Sequence, residues 1–107
     1  MKSAVGAFQR ESDEQKLGTE LLERIGCFVF RTNQPRASRV TPGLPDVIAL
    51  LPRRLGVLLW EAKSATGRQS DAQILVESRC RDSAVPYVCG TVADLTVALE
   101  GLGLLVG

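Results

Sequence analysis

Asp46, Glu61 and Lys63 are the residues of this chain best spaced to do chemistry together. Asp46 opens the apolar run Val47-Ile48-Ala49-Leu50-Leu51, and Glu61 follows a second run, Val57-Leu58-Leu59-Trp60. Only Pro52-Arg53-Arg54-Leu55 and Gly56 separate them, so residues 46–51 and 56–63 are predicted to form an antiparallel hairpin. A turn centred between Arg53 and Arg54 sets Asp46 opposite Glu61. Side chains alternate along a strand, which puts Glu61 and Lys63 on one face and Trp60 and Ala62 on the other. A slip of one residue would carry Asp46 to the wrong face, so this register is a specific expectation.

Two carboxylates ~4–5 Å apart repel by roughly 4 kcal/mol at an effective dielectric of 20, and these would sit within an apolar hairpin. A positive partner is required. Lys63 supplies one charge, but a divalent cation with hard oxygen ligands and water in its shell suits converging carboxylates better. A divalent cation held there would polarise a phosphodiester and lower the pKa of bound water, with Lys63 stabilising the charge that develops on the phosphate. The plainer alternative is that a Glu and a Lys two apart on a strand make only a solvated salt bridge. Against it stand Pro45, which sets Asp46 at a loop-to-strand junction, and the apolar flanks, which predict a central, buried pair of strands.

The rest of the composition narrows the chemistry. The 107 residues contain no histidine, so Ser-His-Asp, Cys-His and HExxH sites cannot be assembled. Cys27, Cys80 and Cys89 are an odd number and form no C-x-x-C, which fits a reducing cytoplasm better than a disulfide framework or a zinc site. The length suits one domain spanning residues 1–107, and 45% hydrophobic with 23% charged residues is globular composition. Thirteen basic against twelve acidic residues leave a charge of +1, so any nucleic-acid site must be a local patch. No apolar run approaches the ~20 residues of a membrane span, and the first residues lack an apolar signal core, so a soluble cytoplasmic protein is expected.

The elements that must position these residues follow from periodicity. Leu17, Leu21, Leu22 and Ile25 fall on one side of a helix over residues 10–25 that Gly26 ends, while Gly18 marks either close packing or a tolerated defect. Residues 27–31 read as a strand, and residues 32–45 as a loop rich in proline. Residues 69–83 read as a helix capped by Gln69 or Ser70, residues 86–89 as a strand, and residues 91–99 as a closing helix capped by Thr91. The order is α, β, β, β, α, β, α. Trp60 and Phe28 or Phe30 are expected in the core, since no aromatic stripe suggests base stacking.

Pro45-Asp46 followed by Glu61-Ala62-Lys63 resembles the signature of the PD-(D/E)XK nuclease superfamily, and the wider pattern resembles its VRR-NUC branch of compact phage and repair nucleases. Supporting residues span nearly the whole chain: Gly26 to Arg31 with Asn33, Pro42-Gly43-Leu44-Pro45-Asp46, Gly67-Arg68, and Gln73, ten residues beyond Lys63. The resemblance implies an α/β, restriction-endonuclease-like αβββαβ core with a mixed central sheet flanked by helices, in agreement with the order read from the residues. It implies that Asp46 and Glu61 bind Mg2+ or Mn2+ with the Ala62 backbone carbonyl as a third oxygen, that Lys63 is the catalytic cation, and that Gln73 faces the site. It also implies a metal-proximal glutamate on the first helix, for which Glu11 is the choice over Glu14 and Glu20. Ala62 replaces a more usual branched residue, and Ser83-Ala84-Val85 stands where glycine is common; neither removes a functional group.

Arg31, Arg36, Arg39 and Arg68 lie in or beside the loops near Asp46 and Lys63, and arginine's planar fork of donors suits DNA phosphates. Arg53 and Arg54 fall at the far hairpin tip and are expected to face solvent. The resemblance implies branched or structured DNA, such as Holliday junctions, cut by a homodimer. Leu99, Leu102, Leu104, Leu105 and Val106 would supply a dimer surface or finish the monomer core. Two other readings stay open: a nuclease-fold module that binds nucleic acid or a partner without cleaving, and a structural protein whose hairpin charges form only a salt bridge.

Overall fold

The computed structural model describes residues 10–32 and 41–106, and they run in the order α1 (Glu11–Arg24), β1 (Phe28–Arg31), β2 (Val47–Leu51), β3 (Gly56–Ala62), α2 (Asp71–Asp82), β4 (Tyr87–Gly90) and α3 (Val92–Gly101). The four strands form one mixed sheet in the order β1-β2-β3-β4, antiparallel except for the β3–β4 pair. That last pair is parallel because β3 must cross over through α2 to reach β4, whereas β2 and β3 need only a tight turn. The α/β, mixed-sheet expectation holds in element order and topology.

The hairpin register is the one that places Asp46 against Glu61. Val47 pairs with Trp60 and Leu51 with Gly56, so one residue further out Asp46 faces Glu61. At the tip, Leu55 donates to the Pro52 carbonyl, and Arg53 and Arg54 both take positive φ, 58° and 61°. Two consecutive left-handed residues twist the connection in the sense a hairpin requires, although β-carbon crowding disfavours arginine there. Both arginines are exposed, and Arg53 Nη2 reaches the Gly103 carbonyl at 2.9 Å, tying the tip to the chain beyond α3.

Alternation divides the sheet into two unlike faces. Val47, Ala49 and Leu51 of β2 join Leu58, Trp60 and Ala62 of β3 on the first face, packed with Leu22, Leu95 and Leu99 from α1 and α3. Gly18 belongs to this packing, because a β-carbon there would overlap the Trp60 ring and sit 3.1 Å from Leu95. The Trp60 indole N–H donates to the Gly90 carbonyl at 3.1 Å, giving the buried ring its polar partner. Leu102, Leu104 and Leu105 pack on the same core, so these tail leucines finish the fold. α2 covers the second face only toward β4. Among the described residues no element covers that face over β1 and β2, where Phe28 is 62% and Phe30 46% exposed, their rings in an edge-to-face pair 5.1 Å apart. The expectation that Phe28 or Phe30 lies in the core beside Trp60 is corrected: no helix of the described residues reaches over their half of this face.

Candidate active site

The site begins with how Asp46 is held. Pro45 before it is fully buried, and Thr32 clamps the junction, its amide donating to the Asp46 carbonyl at 2.8 Å and its hydroxyl to the Pro45 carbonyl. From the other strand, the Ala62 amide donates to Asp46 Oδ2 at 3.1 Å. Just before β2 begins, the aspartate side chain thus takes the place of a ladder carbonyl. This fastens it beside Glu61.

Glu61 is 4% exposed and its Oε1 is buried with no hydrogen-bond partner. Lys63 Nζ stands 3.9 Å from Glu61 Oε2, the outer edge of an ion pair. Burial first, and then the Asp46 carboxylate beside it, push the Glu61 carboxyl from its ordinary 4.5 up to about 8, while Lys63 pulls the other way by less. A buried carboxyl oxygen without a partner, next to a second carboxylate, is the arrangement a hard cation would complete. The donor set fits magnesium or manganese in particular, which use one or two carboxylates and keep several waters. Among the described residues no group of three or more acidic or cysteine side chains is placed to hold a metal by itself.

Lys63 is itself braced from the following turn. The Gly67 amide donates to the Ser64 carbonyl at 3.0 Å, and a β-carbon at Gly67 would lie 3.2 Å from Lys63 Cβ and Cδ. Glycine lets this turn close over the lysine stem. Gly43 serves a similar end on the approach to Asp46: its φ is +83°, and a β-carbon would collide with the Ala72 carbonyl at the start of α2.

Helix α1 brings its first turns to the other side of Asp46. Glu11, Ser12, Gln15 and Asp46 line an open polar pocket of about 290 Å³. Glu11 is therefore on the pocket wall, exposed, and its charge adds to the upward push on Glu61. Glu14, the neighbouring alternative, is buried, and its Oε1 accepts from the Val92 amide at 2.7 Å, satisfying an open donor at the start of α3.

The remaining expected residues are less uniformly gathered. Gln73 sits in the first turn of α2, but its Oε1 accepts from the Ser70 amide at 2.8 Å while its own amide donates to Ser70 Oγ at 3.2 Å. This capping box means that Gln73 hydrogen-bonds the helix start here and not the carboxylate pair. Arg68 is exposed in the turn after Lys63. Arg31 reaches α1, with Nη2 2.6 Å from Gln15 Oε1. Arg36 and Arg39 lie outside the described residues. Gln15 is the site residue that sequence reasoning passes over. Its signal is nonetheless present: positions 11, 15, 18 and 22 share one helix face, and the polar pair at the N-terminal end of an otherwise buried stripe marks where that stripe meets a site.

A solved structure titled "VRR_NUC domain" superposes on this chain with a TM-score of 0.67, covering 84% of this chain and 94% of that one at 24% sequence identity. No family model and no curated protein matches the sequence. The chain has the fold of a VRR_NUC domain, a four-stranded mixed sheet flanked by helices.

Proposed function

We propose that this chain is a single-domain, magnesium- or manganese-dependent nuclease of the VRR-NUC family that hydrolyses phosphodiester bonds in DNA. The observation that carries the reading is the partnerless, buried Glu61 oxygen beside Asp46, with its carboxyl raised to about 8 and Lys63 at 3.9 Å. Asp46 and Glu61 would hold the cation, with the Ala62 carbonyl as a further oxygen and Glu11 contributing from the pocket wall. A bound divalent cation supplies Lewis-acid polarisation of the phosphate and a more acidic water. The Ala62 amide would keep Asp46 oriented, and the Lys63 ammonium would balance the extra negative charge as a water oxygen gives up a proton and joins phosphorus while one deoxyribose oxygen leaves and takes up a proton. The products are one phosphomonoester end and one hydroxyl end. Gln73 would join the site only by leaving its capping box.

Arg31 and Arg68, with Arg36 and Arg39, would bind the flanking phosphates, and the substrate class we assign is branched or structured DNA, in the cytoplasm. We assign a homodimer as the working form. The open half of the sheet supports it: Phe28, Phe30, Leu50 and Ile48 expose roughly 300 Å² of apolar side chain, the size of a functional patch and enough for the centre of an interface of ~800 Å² per partner. No helix among the described residues is long and apolar enough to cross a membrane.

Labelled four-way junction, flap, single-stranded and duplex DNA, each incubated with Mg2+, Mn2+ or EDTA, test the reading directly. Cutting that needs metal and is lost in Lys63→Ala is the expected result. Binding without cutting under every metal would establish the non-cleaving module instead, and neither binding nor cutting would leave the hairpin charges as a salt bridge.

A further inference from the structure

Two polar residues of the pocket wall, Ser12 and Gln15, carry no carboxylate, and of these Gln15 is buried. Gln15 is 5% exposed, lies beside Glu11 and Asp46 in the pocket lining, and accepts from Arg31 Nη2 at 2.6 Å. Arg31 itself is fixed to the Asp46 region through its backbone, since it pairs with Val47 and the next amide, of Thr32, binds the Asp46 carbonyl. Its side chain therefore runs from the sheet back to α1 and ends on Gln15, a residue of the pocket lining, while the residue as a whole remains exposed. A guanidinium carries five N–H donors in a planar fork, so the one given to Gln15 leaves others for a second acceptor. The chemistry at position 15 matters: a neutral amide oxygen orients the cation and leaves its charge uncancelled, whereas a carboxylate there would neutralise it.

We propose that Gln15 is a positioning residue that presents the Arg31 guanidinium, held on the pocket-lining Gln15 side chain, to a DNA phosphate flanking the one attacked. This rests on the nuclease reading and deepens it by naming the element that places a phosphate contact. Arg31 touches the substrate; Gln15 acts through Arg31.

The test uses the full chain with Gln15→Ala, Arg31→Ala, Arg31→Lys and the Gln15→Ala/Arg31→Ala double variant. Binding of labelled four-way junction is measured in Ca2+ across salt concentrations, and steady-state cleavage in Mg2+. Arg31→Ala is expected to raise Kd and KM about tenfold, as loss of a charged hydrogen bond does, with kcat within about twofold. It should also flatten the salt dependence by about one unit of slope, the share of one phosphate contact. Gln15→Ala should raise KM about three- to tenfold with kcat unchanged, and the double variant should bind no worse than Arg31→Ala. Wild-type Kd in Arg31→Ala, or a double variant whose loss is the product of the two single losses, would overturn the inference. Should Gln15→Ala fail to fold, Arg31→Lys decides: binding as weak as Arg31→Ala supports a positioned fork, and wild-type binding overturns it. A wild-type protein that binds but never cuts removes the nuclease reading alone, because the binding arms still decide the role of Gln15. A protein that neither binds nor cuts overturns both.

Discussion

The two faces of the sheet are built from the same strands and come to opposite ends. On the α1–α3 face, small and large residues interlock, with Gly18 receiving the Trp60 ring and Leu22, Leu95 and Leu99 closing around it. On the α2 face the same strands carry a charged pair at one end and half-exposed phenylalanines at the other. The difference teaches where this small domain keeps its stability and where it keeps its chemistry. A sealed, close-packed face holds the strands in place. The unsealed face can then hold two carboxylates together at a cost in stability, because the neighbouring packing keeps them from moving apart.

The largest effect that would break this comparison is on activity. Asp46→Asn should lower cleavage of junction DNA by about 10³-fold, in the range set by loss of a preorganised charged group, while far-UV circular dichroism stays native. A variant that unfolds would show that the site and the core are not separable. The next largest is on the sealed face: Gly18→Val must push into Trp60 and Leu95 and should cost about 3 kcal/mol in denaturant unfolding. A loss under ~1 kcal/mol would mean that this face is looser than its packing implies.

The charged end makes a pH prediction of definite sign. Glu61 binds its proton more tightly in the fold, at about 8, than at its ordinary 4.5. Between those values the native state holds more protons than the unfolded chain, so metal-free stability should fall as pH rises from about 4.5 to about 8 and level off above. Thermal melts in EDTA check this, and added Mg2+ should raise Tm more at pH 8 than at pH 5. A Tm that rises with pH across this window in EDTA would remove the strain assigned to the carboxylate pair. The smallest effect belongs to the open apolar end. Phe30→Ser should change monomer stability by no more than ~0.5 kcal/mol, as an exposed substitution does, yet shift the sedimentation profile toward monomer.

Much of the site was legible because its logic is local. The Asp46–Glu61 register follows from two apolar runs, a four-residue turn and period-two alternation, all within eighteen residues of chain. Ser70 and Thr91 were readable as caps for the same reason, since a cap acts three residues away. Phe28 and Phe30 misled because hydrophobicity says that a side chain gains from burial, not that any element is available to bury it. Gln73 carries two local roles that spacing does not separate. A glutamine three residues after a serine is equally a capping partner and a site residue, and in this structure the cap takes it.

By itself the sequence determined the element order, the pairing of the central hairpin and the kind of chemistry an acidic pair with a lysine and no histidine can do. Those rest on short-range periodicity and on residue type. Only the tertiary structure decided which first-helix glutamate lines the pocket and which caps α3, that Arg31 bends back to Gln15, and that the tail leucines finish the core. Each of these depends on groups far apart in the chain, as Glu14 and Val92 are at 78 residues of separation. Their meeting is set by how helices pack on the sheet, which no local spacing encodes.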